Sequence, residues 1–192
     1  MEVYVTEKEK MLNSEYYFGY DEQLVKEREV AKDLCFELNN IQASNRKKRA
    51  EIINELFGRV GKNPWIESSF YCDYGYNISV GDNFYTNHNL VILDVNKVII
   101  GDNVLIGPNV GIYTAAHPTN PVTRKNGLEY GKPITIGNNV WVGGNVVILP
   151  GVTIGDNTVI GAGSVVTKDI PADVVAIGNP CQVVKNISEV GE

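Results

Sequence analysis

Histidine is scarce in this chain of 192 residues: there are two, His88 and His117. A metal site built on three distinct histidines is therefore excluded, even if symmetry brings two copies together. No clustered spacing of carboxylates suggests a metal either. Cysteine is nearly as rare. Cys35, Cys72 and Cys181 are too few and too scattered for a disulfide framework and read as reduced thiols of a cytoplasmic protein. No apolar run approaches the ~20 residues that span a bilayer, and no signal-peptide pattern opens the chain. The net charge of −6 argues against nucleic acid as a partner. There is no glycine-rich phosphate loop, because the glycines follow a rhythm of their own, and no Ser or Cys nucleophile motif stands out. With 43% hydrophobic and 21% charged residues the composition is that of a globular protein, long enough for one substantial core.

What the chain does have is a six-residue beat. An aliphatic residue followed by glycine recurs at Val80-Gly81, Ile100-Gly101, Ile106-Gly107, Ile136-Gly137, Val142-Gly143, Ile154-Gly155 and Ile160-Gly161. Ile112, Ile148 and Val166 keep the phase without the glycine. Four residues after many of these stands a small or β-branched residue: Val104, Val110, Val140, Val146, Val152, Thr158 and Ser164. This is the hexapeptide signature of a parallel β-helix, in which each hexad forms one short strand and a corner. Three hexads close a triangular coil, so coils are expected every ~18 residues, stacked ~4.8 Å apart. The aliphatic residues point inward as a continuous column. Gly-Asp-Asn and Gly-Asn-Asn triplets fall at the corners, where Asn, Asp and Gly tolerate the left-handed backbone region.

Three segments follow from where the beat runs. Residues 1–60 lack it and read as a helical region. Thr6-Glu7-Lys8-Glu9 is a capping box, Asp21 caps a helix whose stripe is Leu24, Arg28, Ala31, Cys35 and Leu38, and Ser44 caps a third with Ala50, Ile53, Phe57 and Val60 on one side. The basic run Arg46-Lys47-Lys48-Arg49 reads as a solvated helix face. Residues 61–170 are the β-helix, and residues 171–192 a capping segment that protects its open edge. Two residues are extra between Ile92 and Ile100, around Asp94. A longer break, the loop 113–133, carries Pro118, Pro121, Asn126-Gly127 and Pro133; a loop of that length in a tight solenoid points to function.

His117 stands at the root of that loop, with Pro118 fixing the backbone beside it. His is the side chain whose ordinary titration lies near neutrality, so His117 reads either as a general base or as an ordinary loop histidine. His88 reads as an exposed polar side chain. Without a nucleophile motif the accessible chemistry is direct transfer: a base takes a proton from an acceptor hydroxyl, whose oxygen attacks an activated acyl donor.

The residues Tyr113-Thr114-Ala115-Ala116-His117-Pro118, Gly127-Leu128-Glu129-Tyr130-Gly131-Lys132-Pro133 and Asn138-Asn139-Val140-Trp141-Val142-Gly143-Gly144 resemble the maltose/galactoside O-acetyltransferase family, as do Ala162-Gly163-Ser164-Val165-Val166-Thr167-Lys168-Asp169-Ile170-Pro171 and Gly178-Asn179-Pro180. The resemblance covers nearly the whole chain. It implies a mainly β protein, a left-handed parallel β-helix with an N-terminal helical region and a short C-terminal cap, working as a homotrimer with acetyl-CoA between neighbouring subunits. It implies an acetyl-CoA-dependent transfer to a sugar hydroxyl, with no metal. In that reading His117 is the general base, and Asn87 positions the reacting groups on both the acceptor and the coenzyme side. Asp73 and Asp94 line the acceptor pocket, Trp141 packs at the thiol end of the donor, and Gly144, Ala162, Thr167, Lys168 and Lys185 contact the coenzyme. On the residues alone Trp141 reads equally as a surface aromatic, Lys168 as a corner charge and Asp94 as a turn residue. Two departures stand out: Gln182 and Lys185 replace arginines of the galactoside enzyme, and the segment Tyr16–Tyr20 lacks its sugar-facing aspartate. The rival readings are a non-sugar acceptor on the same fold and donor, and a non-catalytic β-helix scaffold.

Overall fold

The computed structural model describes residues 5–187. From Arg59 the chain winds round a triangular prism of parallel strands, each only two to four residues long up to Ile177 because a small or left-handed residue turns the chain at most corners. The first face holds Arg59–Val60, Ile78–Val80, Val98–Ile100, Ile134–Ile136 and Thr153–Ile154. The second holds Trp65–Ile66, Tyr85–Thr86, Leu105–Ile106, Trp141–Val142, Val159–Ile160 and Val174–Ile177. The third holds Phe70–Cys72, Leu90–Leu93, Gly111–Tyr113, Val147–Ile148 and Val165–Val166. Antiparallel to the last strand of the second face runs Gln182–Asn186, which covers its edge as the sequence suggests.

The beat places the core as expected. Val80, Ile100, Ile136 and Ile154 stack in register on one face, Ile106, Val142 and Ile160 on the next, and Ile92, Ile112, Ile148 and Val166 on the third, all buried. Each such side chain contributes about 1.5–3 kcal/mol of burial, which no isolated coil would collect.

The corner between the first and second faces explains the Gly-Asp-Asn triplets. Asn63, Asn83, Asn103, Asn139 and Asn157 all have φ near +56°, and each donates through Nδ2 to the residue above it, ending on Asp173 (2.7–3.2 Å). Beside this ladder runs another, in which the backbone N–H of Asp82, Asp102 and Asn138 donates to the side-chain oxygen of Asp102, Asn138 and Asp156. Glycine precedes each because a Cβ on Gly81 would lie 2.2 Å from Asp102 Oδ1.

Coil length differs from the uniform 18 residues of the pattern. The ladder steps from Asp82 to Asp102 across 20 residues, to Asn138 across 36 and to Asp156 across 18. The extra residues lie at one place, the corner from the third face to the first: 73–77, 94–97 and 114–133, one above another. These inserts bond to each other, Asn77 Nδ2 to Asp94 O (2.7 Å) and Asn96 N to Thr114 Oγ1 (2.9 Å).

The helices are α1 (Glu7–Leu12), α2 (Glu22–Asn40) and α3 (Arg46–Leu56). The Thr6 capping box and the Asp21 cap form as read, and Leu24, Ala31, Cys35 and Leu38 are buried. On α3 the cap is Asn45, not Ser44, and the buried stripe is Arg49, Ile52, Ile53 and Leu56, leaving Ala50 exposed. Arg49 also departs from a solvated face. Its guanidinium is buried and donates to Leu38 O (3.1 Å) and Ile66 O (2.5 Å), tying α2, α3 and the first coil together through carbonyls that would otherwise be costly to bury. Among the described residues no helix is long and apolar enough to cross a membrane.

The expected loop at 113–133 has structure of its own. Ala115–Ala116 pairs antiparallel with Leu128–Gly131, which pairs with Tyr17–Phe18, and a short helix α4 (Pro121–Lys125) turns between them. The arm is thus pinned to the N-terminal region, with Asn96 Nδ2 donating to Met11 O (3.1 Å) beneath it.

If the asparagine ladder sets the corner, Asn139→Ala should cost about 3 kcal/mol, from two lost hydrogen bonds and from putting Ala where Asn tolerates the left-handed region and Ala does not. Asn139→Gly should recover about 1 kcal/mol of that in urea unfolding; equal losses would show that the backbone there carries no strain.

Candidate active site

The second face presents outward a column of Tyr85, Leu105, Trp141 and Val159, aligned rung upon rung by the parallel register. Leu105 and Trp141 are half exposed, unusual for large apolar groups that are paired on both sides. The chain then turns toward the third face through Asn87, Gly107-Pro108, Gly143-Gly144 and Gly161-Ala162. Column and corner together enclose a groove of about 590 Å³. Its walls are aliphatic and aromatic, and the chain approaches itself closely at its floor: a Cβ on Gly143 would lie 2.6 Å from Ala162 N. Four residues singled out from sequence, Asn87, Trp141, Gly144 and Ala162, line this groove. Asn87 also accepts from His88 N through Oδ1 (2.7 Å), which fixes its amide orientation. His88 itself is exposed, with Nδ1 against Ser68 O.

Lys185 lies at the top of the same face, paired with Val175. Thr167 and Lys168 do not line the groove. They are exposed after Val166, on the corner from the third face to the first.

That corner also carries the remaining candidates. His117 is exposed and stands between two fixed points: Ala116 pairs with Tyr130, and the buried Pro118 accepts from Arg124 Nη1 through its carbonyl (3.0 Å). Asp73 is half-buried, and burial raises its carboxyl above the ordinary range, partly offset by Arg28. Asp94 is fully buried and reaches no solvent. Its Oδ1 accepts the backbone N–H of Asp73 and of Tyr74 (2.9 Å each), while Oδ2 has no hydrogen-bond partner among the described residues. Burial without a countercharge pushes Asp94 up to about 7, against the opposing pull of those two N–H groups. Asp94 thus shapes the Asp73 turn from below, through the two N–H groups that its Oδ1 accepts.

Around Asp73 the structure gathers residues that sequence reasoning missed. Tyr17 is buried and donates to Glu129 Oε2 (2.8 Å). Arg28 reaches from α2 to Tyr74 OH (2.5 Å) and Gly19 O (2.6 Å). Burial raises the Tyr74 phenol to about 12, so it stays a hydrogen-bond donor or acceptor and not a phenolate. No spacing signal links positions as far apart as 17, 28, 73 and 129; only the arm folding back on the N-terminal region joins them.

A parallel β-helix with an apolar groove on one edge and a histidine-bearing arm on another defines the hexapeptide-repeat acyltransferases. Comparison with known proteins narrows this. Residues 10–61 match the maltose acetyltransferase hexapeptide capping motif, residues 133–168 the bacterial transferase hexapeptide, and residues 97–115 the hexapeptide repeat of succinyl-transferase. The galactoside O-acetyltransferase of Escherichia coli K12 is 54% identical over 88% of this chain and 83% of its own. The crystal structure of a maltose O-acetyltransferase from Clostridium difficile 630 superposes with a TM-score of 0.95 at 57% identity, covering 96% of this chain and 99% of that one. A galactoside acetyltransferase in complex with coenzyme A superposes with a TM-score of 0.93 at 49% identity, covering 97% and 93%. The chain belongs to the maltose/galactoside O-acetyltransferase family.

The raised Asp94 carboxyl has a consequence for stability. Between its ordinary value of 3.8 and about 7 the folded chain keeps a proton that the unfolded chain has released. The stability tied to that proton is complete below pH 4 and is lost as pH rises through 7. Asp94→Asn keeps an oxygen for the two N–H groups and removes the titration, so its melting temperature should gain on the unsubstituted protein between pH 5 and pH 8. Parallel curves would show that Asp94 is ionised throughout.

Proposed function

We propose that the chain transfers the acetyl group of acetyl-CoA to a sugar hydroxyl, acting as a cytoplasmic homotrimer. One observation carries the reading: in a single chain the groove and the His117 arm lie on different edges of the prism. A threefold ring of prisms, closed by one repeated heterologous contact, sets the groove edge of each subunit against the arm edge of the next. The site is then completed by two chains, and Thr167 and Lys168 on the arm edge reach a donor lying along the neighbour's groove.

The groove suits the donor. Its apolar walls and glycine floor accept a narrow flexible arm, with Trp141 packing near the thioester and Asn87, Gly144 and Ala162 along the corner. Lys185 and Lys168 supply positive charge for the phosphates, where Gln182 supplies none. The relative solved with coenzyme A supports this donor, and the sugar names of the relatives support the acceptor class. The cluster of Asp73, Arg28, Tyr74 and Glu129 offers hydroxyl-binding groups on the arm side. Asp94 acts there as a positioning residue, through the N–H groups of Asp73 and Tyr74.

His117 takes the proton from the acceptor hydroxyl as its oxygen attacks the thioester carbonyl. The tetrahedral intermediate collapses with loss of the coenzyme thiolate, to which His117 returns the proton. Asn87, held by His88 N, directs its amide toward the reacting groups. The three free thiols agree with a reducing compartment.

His117→Ala should lower kcat by on the order of 10²–10⁴ while the trimer stays intact by light scattering. Retained turnover would remove the general-base role. Trp141→Ala should instead raise KM for acetyl-CoA about tenfold, the loss of one buried aromatic contact. The acceptor is tested by following thiol release from acetyl-CoA with a panel of sugars and non-sugar alcohols; release with the alcohols alone would transfer the reading to a non-sugar acceptor.

A further inference from the structure

Two thiols that the transfer chemistry does not use lie against each other. Cys35 on α2 and Cys72 at the end of Phe70–Cys72 bring their sulfurs to 3.7 Å, although 37 residues separate them in sequence. Both are buried, yet both line a groove of about 260 Å³ with Lys32, Phe36, Asn39 and Tyr71, wide enough to admit a small molecule. The helix and strand are held at fixed separation one turn further along, where Asn39 Nδ2 donates to Phe70 O (2.9 Å) and Phe70 N donates to Asn39 Oδ1 (2.8 Å). A disulfide needs the sulfurs at about 2.05 Å, a closure that side-chain rotation covers when the backbones are already in register. The third thiol, Cys181, sits in the C-terminal cap, outside this groove.

We propose that Cys35 and Cys72 are an oxidisable dithiol, a modification site that closes to an intramolecular disulfide when the protein meets a hydroperoxide. The Cys35 sulfur attacks one peroxide oxygen, the O–O bond breaks, and the departing oxygen takes the thiol proton, leaving a sulfenic acid on Cys35. The Cys72 sulfur then attacks the Cys35 sulfur; the S–S bond forms, the S–O bond breaks, and the hydroxyl leaves as water with the Cys72 proton. With hydrogen peroxide the balance is two thiols and one peroxide to one disulfide and two waters, the sulfurs losing two electrons and the peroxide oxygens gaining them. The order of attack follows from the shared proton. The hydrogen bond from Cys72 holds the Cys35 thiol below the ordinary range, whereas the same bond and then burial push Cys72 up.

The bond ties α2 to the third face and closes a loop that contains α3 and the start of the first coil. It lies one residue from Asp73, so oxidation fixes the base of the arm-edge cluster as well.

The test treats the purified native protein with hydrogen peroxide, then denatures it in N-ethylmaleimide. The expected product takes up one alkyl group instead of three, is lighter by two hydrogens before alkylation, and yields a linked Cys35–Cys72 peptide on digestion. Dithiothreitol restores three alkylations, and the oxidised form melts about 5 °C higher. Cys181→Ser should form the same linked peptide, whereas Cys35→Ser and Cys72→Ser should each leave the partner thiol free and show no rise in melting temperature. Three alkylations after peroxide, a linkage through Cys181, or a gain of about 32 Da on either thiol in place of the disulfide would overturn the proposal. Should Cys35→Ser fail to fold, the peptide map of the unsubstituted protein decides it.

Discussion

The register of one coil on the next is the constraint from which the rest of the molecule follows. A coil of three strands, two to four residues each, has no interior of its own; its aliphatic side chains are buried only when the coils above and below supply the opposite wall. Strand hydrogen bonds alone would tolerate a slip along the prism. The corner ladders do not: the left-handed Asn from Asn63 to Asn157 fixes where each coil turns, and the acidic or amide side chains beside it fix which N–H it meets. The glycine that opens each triplet leaves room for the second of these contacts. Packing and polar satisfaction therefore agree on a single register, which is the condition for a repetitive sequence to fold to one structure.

Because register is fixed, extra residues cannot be absorbed along a strand and must project at a corner. Three successive coils place theirs at the same corner, so the inserts stack and bond to one another through Asn77, Asp94, Asn96 and Thr114. This irregular edge then needs cover, and the N-terminal region provides it. Tyr17–Phe18 extends the arm as a third strand, and α2 brings Arg28 to Tyr74. The buried Asp94 belongs to the same economy of space. It satisfies two N–H groups of a turn that no regular coil contains, and its raised carboxyl reflects how little water reaches that edge.

Period and corner chemistry made the prism legible in the sequence, since the inward column and the Gly-Asp-Asn turns repeat whatever lies elsewhere. Phase alone puts Trp141 on the second face and Asn87, Gly144 and Ala162 at the turn beyond it, but only the family resemblance singles them out as a site. Three features escaped. Arg49 stands in a charged run that reads as solvated, because sequence shows charge but not the carbonyls of Leu38 and Ile66 that wait for it. The cluster of Tyr17, Arg28 and Glu129 leaves no periodic trace, because it depends on pairing a two-residue strand with one more than a hundred positions away. The second pair of extra residues, at 73–77, was missed because the beat has barely begun there and offers no earlier coil against which to count.

The division between regular and irregular edges also separates two requirements that a transferase must meet. A donor shared by many reactions calls for a surface that does not change, and the groove is made from hexads whose outward residues rest on a core common to every coil. Acceptor recognition calls for variation, and in the proposed reading it falls to inserts and an arm that touch the prism at one corner. A substitution in the arm or in Tyr17–Phe18 alters side chains around Asp73 without disturbing a single inward aliphatic or ladder contact. Substitutions in the groove have no such freedom, because Gly143 already stands 2.6 Å from Ala162 N once a Cβ is added. If the groove holds the donor and the arm edge the acceptor, as proposed, the acceptor can diverge while the donor site stays fixed, and the departures at Tyr16–Tyr20 lie on the side that is free to vary.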